Sequence, residues 1–595
     1  MVIRTLCDIL ARLEGEIRRP DLLRYKSAGA WRDISSVEFV ATVRSLGSGL
    51  LDLGIRKGDR VAILSENRPE WLAFDHAILN IGAVNVPIYP SLLPDQIRVI
   101  LENSQSKMLV VSTGAQLQGV VPLLPSLPDL ARMVLLDPTV DTPSQCISWA
   151  SLAEAGKAAD RSNPHRFREA RSDVAAEDLA SILYTSGTTG EPKGVMLTHG
   201  NFASNVNATL ELIPFGPDDV TLSFLPLTHA LERMVEFAYL AAGANIAYAE
   251  SFDAVTRNIA EIRPTVVATV PRALEKIHAR ILETVRLSPG IRRALFTSAM
   301  ALGRGAVRAR LESRALPWLI RVLHPAADRV VFSTLRGRLG GRLRFLISGG
   351  APLAPEICEF FHAIGIPVLE GYGLTETSPV VAVNTLARTR IGTVGQVLPN
   401  VDVRIAEDGE ILVRGPNVMK GYFRNEEATR AALEGGWFHT GDIGRLDEDG
   451  YLAITDRKKD ILKTSGGKMV APQPIENLLK ADPFISQAVV LGDRRKFVSA
   501  LIAPEFQRLE AYARKAGIRW QDPRELLEDP RILDFFRRRI EEKMAGLPSY
   551  ERIKKFRMLP KELTQEAGEL TPTLKLKRRV IEKRYENVIE SIYRE

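Results

Sequence analysis

Tyr184-Thr-Ser-Gly-Thr-Thr-Gly-Glu-Pro-Lys-Gly194 follows directly on the apolar run Ala180-Ser-Ile-Leu183. The run reads as a buried strand, and what it leads into reads as a site for anionic oxygens. Gly187, Gly190 and Gly194 let the backbone turn closely enough for successive amides to face a phosphate. Thr185, Ser186, Thr188 and Thr189 add hydroxyl donors, and Lys193 adds a cation. The GxxxxGK[ST] spacing of a Walker loop is absent. Composition alone also fits an ordinary Ser/Thr/Gly surface loop; the order of the residues separates the two.

Outward from this loop, short apolar runs alternate with helical patterns. Arg60-Val-Ala-Ile-Leu precedes a helix near 69–81, which leads into Ala83-Val-Asn-Val-Pro-Ile; 108–112 and 133–136 read as further buried strands. Such alternation predicts βα units and parallel sheets. Residues 281–340 read as basic helices, broken at Ser288-Pro289-Gly290, Pro317 and Pro325. From about 400 the texture shifts to short strands with turns at Asp408-Gly409 and Asp449-Gly450. The charged run Asp456-Arg-Lys-Lys-Asp460 marks a boundary, beyond which 487–491 and 498–502 form a strand pair and 523–545 a helical stretch.

Other segments stand in an informative order. Ser348-Gly349-Gly350-Ala351-Pro-Leu353 follows the strand Arg344-Phe-Leu-Ile, and Gly371-Tyr372-Gly373-Leu-Thr375-Glu376-Thr377 comes next. Then come Trp437-Phe-His-Thr-Gly-Asp442, Asp456-Arg457-Lys458, Lys463-Thr-Ser-Gly466-Gly467-Lys468, and Gly568-Glu-Leu-Thr-Pro-Thr-Leu-Lys575-Leu-Lys577-Arg-Arg579. None is the GxGxxG of a dinucleotide fold. Together with the loop at 184–194 they resemble the signature motifs of the adenylate-forming superfamily, which includes acyl-CoA synthetases, luciferases and peptide-synthetase adenylation domains. Leu225-Pro-Leu-Thr-His229-Ala-Leu-Glu-Arg233, the Thr-Pro-Thr-x-Lys form around Lys575 and the basic stretch 286–344 resemble the long-chain fatty-acid–CoA ligase subgroup. The resemblance runs from about residue 25 to the end.

That resemblance implies an α/β fold. A large N-terminal domain of parallel and mixed sheets with helices (1–455, with a basic helical insert at 281–343) would precede a smaller mobile C-terminal α/β domain (456–595). It also implies roles. Thr185, Ser186, Gly187, Thr188, Thr189, Gly190 and Lys193 would hold the phosphates. Gly349, Gly350, Ala351, Gly371 and Gly373 would border adenine, with Tyr372 stacked on it and Thr375 at the α-phosphate. Asp442 and Arg457 would take the ribose hydroxyls, and Thr185 and Glu376 would hold Mg²⁺, a hard cation that prefers oxygen ligands. His229 would lie beside the fatty carboxylate at the tunnel entrance. Lys575 would be the catalytic lysine, although the usual preceding glycine is Leu574 and Lys577 lies two residues on. Asp456 would be the pivot that swaps Lys575 for the CoA-contacting Gly466 and Gly467.

Composition sets limits. The 595 residues are 45% apolar and 25% charged, ordinary for a globular chain able to bury a large core. Cys7, Cys146 and Cys358 lack ligand spacing and read as apolar fillers in a reduced, cytosolic setting. The N-terminus carries no secretory pattern. No run reaches the roughly 18 apolar residues of a spanning helix, and the nearest, 73–89, is interrupted by Asp75, His76, Asn80 and Asn85. The expected protein is therefore cytoplasmic, at most peripheral on the inner membrane surface. Net charge is +7, yet 13 arginines face only Glu312 and Asp328 between 286 and 344. Such a block attracts phosphates, whether of anionic lipid or of CoA, or forms a solvated face. No nucleic-acid motif accompanies it, so no nucleic-acid partner is expected.

The function implied is ligation of a medium- or long-chain fatty acid to CoA at the expense of ATP, through an acyl-adenylate. Transfer of the acyl group from the adenylate to a carrier protein is the alternative within enzymes, and a silent binding scaffold the alternative outside them. Substrates are small molecules (fatty acid, ATP, CoA), and oligomeric state stays open.

Overall fold

The computed structural model describes residues 2–137, 145–186, 192–312, 314–571 and 576–594. Among these, two large sheets dominate. One runs, edge to edge, through Gly421–Tyr422, Pro192–Thr198, Leu179–Ser186, Val84–Ile88, Arg60–Leu64, Met108–Val111, Arg132–Leu135 and Cys146–Ser148. It is parallel except where Leu179–Ser186, Pro192–Thr198 and Gly421–Tyr422 pair antiparallel. The other has nine strands, with Phe345–Ser348 beside Val368–Gly373 and parallel to it. The α/β expectation therefore holds, as does its mixed character.

Strand alternation builds the layers. Val61 and Ile63 point into one cluster, Ala62 and Leu64 into another, as side chains of period two must. The first cluster also takes in Ile246, Val266, Phe345 and Leu369 from the second sheet, so the two sheets share one core. The helices Pro69–Asn80 and Ala230–Ala242 lie within it and are buried almost all round. The interrupted apolar run at 73–89 is thus a core helix and strand, as its polar interruptions foretell.

Two of those interruptions, Asp75 and Asn85, join one buried network. Arg233 and Asp75, both fully buried, meet in a two-pronged ion pair with Nε–Oδ2 at 2.8 Å and Nη2–Oδ1 at 2.5 Å. Arg233 Nη1 donates to Ser181 Oγ at 2.7 Å, Asn85 Nδ2 donates to Asp75 Oδ1 at 2.6 Å, and Ser181 Oγ donates to the Asn85 carbonyl at 2.7 Å. The guanidinium also lies over the rings of Trp71, Phe202 and Phe237 at 5.4–5.9 Å. Two helices and two strands are thereby tied at one point.

A four-stranded antiparallel sheet, Asp402–Ile405 through Leu452–Arg457, follows, with Gly409 and Gly450 at positive φ in its turns. Beyond 461, apolar side chains bury in clusters of their own, around the sheet Ile485–Leu491, Ser499–Pro504, Lys555–Met558. The three cysteines are buried thiols. No helix among the described residues is long and apolar enough to cross a membrane. One expectation fails: Pro325 does not break its helix. Trp318–Ala327 runs through it and passes into a π-helical stretch, Asp328–Phe332. The side chain of Ile320 packs against Gly305 of the long helix Gly290–Leu311, and such tertiary packing outweighs a local breaker.

Removing one partner of a buried pair strands the other charge, typically at a cost of about 3–5 kcal/mol. Arg233→Met should lower unfolding free energy in that range by denaturant titration; a change within experimental error would show that the pair does not hold the layers together. Glu236, buried on the same helix, has its carboxyl pushed up to about 8 by burial, and accepts from Tyr248 OH at 3.1 Å. Its folded pKa lies above the unfolded value of 4.5, so its contribution is full below pH 4.5 and is lost as pH rises towards 8. Glu236→Gln should flatten the fall of stability between those limits; parallel pH profiles for variant and wild type would contradict this.

Candidate functional site

The two glycine turns expected to border a nucleotide sit where adjacent parallel strands end. Phe345–Ser348 leads into Gly349-Gly350-Ala351, and Val368–Gly373 carries Gly371, Tyr372 and Gly373 at its own carboxyl end. This is the edge at which open α/β sheets take ligands. Gly350 has φ +81°, and a Cβ on Gly349 would come within 3.1 Å of Leu231 Cδ2. A Cβ on Gly373 would overlap the Pro379 carbonyl, where the strand bulges against Val380–Val383. Space therefore demands glycine at Gly373, and the left-handed backbone favours it at Gly350.

Asp442 is 4% exposed, and both its oxygens are engaged. Tyr372 OH donates to Oδ2 at 2.7 Å, and Arg457 Nε lies 3.0 Å from Oδ1. Strand register brings this about: Phe438–Leu446 and Leu452–Arg457 pair so that Asp442 stands opposite Arg457. Burial and then the Asp442 charge hold the Tyr372 hydroxyl well above its ordinary pKa, so it stays a donor. Tyr372 and Arg457, both named from sequence, thus converge on the carboxylate of a third such residue, Asp442.

A second convergence includes a residue that sequence reading missed. Thr185 pairs with Lys193 across the hairpin formed by Leu179–Ser186 and Pro192–Thr198. Lys193 Nζ lies 5.1 Å from the ring centre of Tyr422, and Tyr422 OH donates to Glu376 Oε1 at 2.9 Å. Tyr422 stands on an edge strand that joins the same hairpin at Val195, and the Met419 N–H donates to the Glu376 carbonyl. The signal was Gly421 just before it: φ is +144°, and a Cβ there would meet Thr429 at 2.6 Å. Gly194 is likewise forced, since its Cβ would meet Ile182 at 2.7 Å. Gly187, Thr188, Thr189 and Gly190 lie outside the described residues, as does the side chain of Ser186.

Glu376 and Thr375 occupy the short 3₁₀ turn Thr375–Thr377, half-buried like Thr185. Among the described residues no group of three or more His, Cys, Asp or Glu side chains is placed to hold a metal ion. One carboxylate and one hydroxyl nevertheless fit Mg²⁺, which usually binds through one or two carboxylates plus a substrate's phosphate oxygens. His229 caps the helix Ala230–Ala242, its Nδ1 accepting from the Leu231 N–H at 3.2 Å, which puts the ring proton on Nε2.

Asp456 is 2% exposed, and its Oδ1 accepts from the Arg457 N–H at 2.5 Å. Burial pushes its carboxyl up to about 6, against the Arg457 and Gln473 N–H groups. Gly466 and Gly467 form the exposed tip between Leu462–Lys463 and Met469–Val470, away from the Asp442 cluster in sequence and on the small domain's own hairpin. Lys575 lies outside the described residues. Arg578, three residues on, is committed to structure, with Nη2 2.8 Å from Glu476 and Nη1 donating to the Val490 carbonyl.

Comparison with known proteins agrees with this arrangement. A family model described as AMP-binding enzyme matches residues 17–423, and one described as AMP-binding enzyme C-terminal domain matches 459–595. The chain is 36% identical to the long-chain-fatty-acid–CoA ligase FadD15 of Mycobacterium bovis, over 98% of this chain and 96% of that one. It is 33% identical to the peroxisomal long chain acyl-CoA synthetase 6 of Arabidopsis thaliana, over 98% and 83%. The crystal structure of the anthranilate CoA ligase AuaEII in complex with anthranoyl-AMP superposes with a TM-score of 0.74, covering 99% of both chains at 18% identity, a likeness of fold. Sequence motifs, fold and relatives agree: this chain belongs to the AMP-binding enzyme family.

Proposed function

We propose that this chain is an ATP-dependent long-chain fatty-acid–CoA ligase that works through an acyl-adenylate. The observation that carries the reading is the near full-length relationship to long-chain ligases. The site supports it: a buried carboxylate suited to ribose hydroxyls lies beside two glycine turns, and a Lys193–Tyr422–Glu376 array adjoins the phosphate hairpin.

In the first step a fatty carboxylate oxygen attacks the α-phosphorus of ATP, the bond to the β-phosphate oxygen breaks, and pyrophosphate leaves. Positioning and charge stabilisation supply most of the acceleration. Asp442 and Arg457 fix the ribose, Tyr372 the base, Thr375 the α-phosphate, and Lys193 faces the departing phosphates. Lys575 bridges carboxylate and α-phosphate. When bound, Mg²⁺ supplies positive charge to the phosphate oxygens, and Thr185 and Glu376 would hold it. His229, fixed as a helix cap, borders the acyl entrance as a shape-determining side chain. In the second step the small domain turns about Asp456, Gly466 and Gly467 approach the pantetheine, and the CoA sulfur replaces AMP on the acyl carbon, the thiol proton passing to solvent. The partner surface extends, on this reading, to an anionic bilayer contacted peripherally through the basic helices, with the enzyme on the cytoplasmic side.

Incubation with ATP, CoA and palmitate should yield palmitoyl-CoA, AMP and pyrophosphate in equal amounts. Acyl-AMP that accumulates without passing to CoA would overturn the ligase reading. Lys575→Ala should lower pyrophosphate release by about 10²–10³-fold, while pre-made acyl-AMP and CoA still give thioester. Near-normal pyrophosphate release would move the assignment to Lys577. Tyr422→Phe removes the donor to Glu376 and keeps the ring under Lys193; Glu376→Gln removes the charge. Both should shift the magnesium requirement of adenylation upward, Glu376→Gln by more. Magnesium titrations that superpose on wild type would exclude Glu376 as a metal ligand.

A further inference from the structure

Of the thirteen arginines in 286–344, several are occupied at home. Arg336 binds Asp328 with two prongs and the Ile364 carbonyl, Arg344 binds Asp219, and Arg310 meets His362 Nδ1 at 3.0 Å. The block is therefore a weaker electrostatic anchor than its sequence suggests. Its apolar side chains behave the other way. Trp318 is 76% exposed, Val322 64%, Leu319 48%, Leu323 42%, and Val330, just beyond, 62%.

These belong to one face. The helix Trp318–Ala327 has no buried residue. Its inward side is Ile320, against Gly305, and His324, whose ring lies 5.9 Å from that of Phe332. Positions 318, 319, 322 and 323 recur at the spacing that puts side chains on a single stripe, opposite Ile320 and His324. Arg321 and Arg329 are exposed around the stripe, as is Arg314, which pairs with Glu312 at 3.0 Å, and no Asp or Glu occurs between 313 and 327. A contiguous apolar patch of this kind, rimmed by cations, marks an interaction surface.

Resting on the peripheral membrane contact proposed above and deepening it, we infer that the helix Trp318–Ala327 is an insertion edge for an anionic bilayer. Its outer stripe enters the boundary between headgroups and acyl chains while the flanking arginines take the lipid phosphates. At ten residues the helix is about 15 Å long, too short to span and suited to lying in the interface. A second copy of the chain fits less well. A two-fold contact here would set two arginine-rich faces against each other, whereas anionic headgroups complement them. The consequence differs from attachment by charge alone: part of the binding survives high salt, because burial of apolar surface is not screened.

The test uses the full chain, sedimented with vesicles of phosphatidylcholine containing about 30 mol% phosphatidylserine, at low and high salt. Wild type should bind at low salt and retain a salt-resistant fraction. Trp318→Ser with Val322→Ser should weaken partitioning by about tenfold and remove that fraction. Arg321→Gln with Arg329→Gln should weaken low-salt binding only. Attachment that salt abolishes in wild type, and that the serine variant leaves unchanged, would overturn insertion while keeping electrostatic contact. No binding by wild type would overturn both. Loss of self-association in the serine variant, with vesicle binding intact, would assign the patch to a second copy and overturn the inference. Acyl-CoA formation from a water-soluble medium-chain acid, without vesicles, should be equal in all forms. A wild type silent there would sink the ligase reading without touching the surface one.

Discussion

The ion pair of Arg233 and Asp75 constrains everything built around it. Two charges at zero exposure are costly unless each finds a full set of partners. Here the partners are dispersed through the chain: Asp75 on one core helix, Arg233 on another, Asn85 and Ser181 on neighbouring strands. The cost can be met only when all four elements are in place. Ser181 lies on the strand Leu179–Ser186 that carries Thr185, and Arg233 lies four residues after His229. The core network therefore fixes the root of the Thr185–Lys193 hairpin and the start of the helix Ala230–Ala242 together. The Glu232–Arg233 end of the motif that resembles an acyl-pocket border faces the core, not a pocket.

Much of this was legible in the sequence because its signals are local. The strands at 60–64, 84–88 and 108–111 are apolar runs of the right length, and the turns at 408–409 and 449–450 are Asp-Gly pairs that need positive φ. The meeting of Tyr372, Asp442 and Arg457 was legible only as three roles within one resemblance. Their contact depends on a register between strands that no local pattern encodes. Tyr422 was missed for the same reason: its partners, Lys193 and Glu376, lie far off in the chain, and only the edge strand brings them together. Pro325 misled because a local breaker was weighed without the long helix packed beside it. The arginine block was legible only as a sum, since a net charge read along the chain cannot distinguish Arg344, paired with a buried Asp219, from Arg321.

The small domain shows how a boundary can be sharp in chemistry and continuous in backbone. Asp456 and Arg457 end the same strand, yet their side chains serve different neighbourhoods. Asp456 is buried towards the Gln473 N–H at the start of the helix Pro472–Lys480, and Arg457 reaches back to Asp442. One peptide unit separates the two sets of contacts, which is what the pivot proposed at Asp456 would need.

Asp442 makes that arrangement reciprocal. Its carboxylate has two oxygens, now shared between a tyrosine of the large sheet and an arginine at the threshold of the small domain. A nucleotide whose ribose claimed those oxygens would compete with both, loosening or re-aiming Arg457 as it bound. Whatever free energy that exchange adds to or subtracts from one domain orientation, the same amount must appear in the affinity of that orientation for nucleotide. Ribose occupancy and the aim of Arg457 would then be two readings of one equilibrium, linked through a single carboxylate.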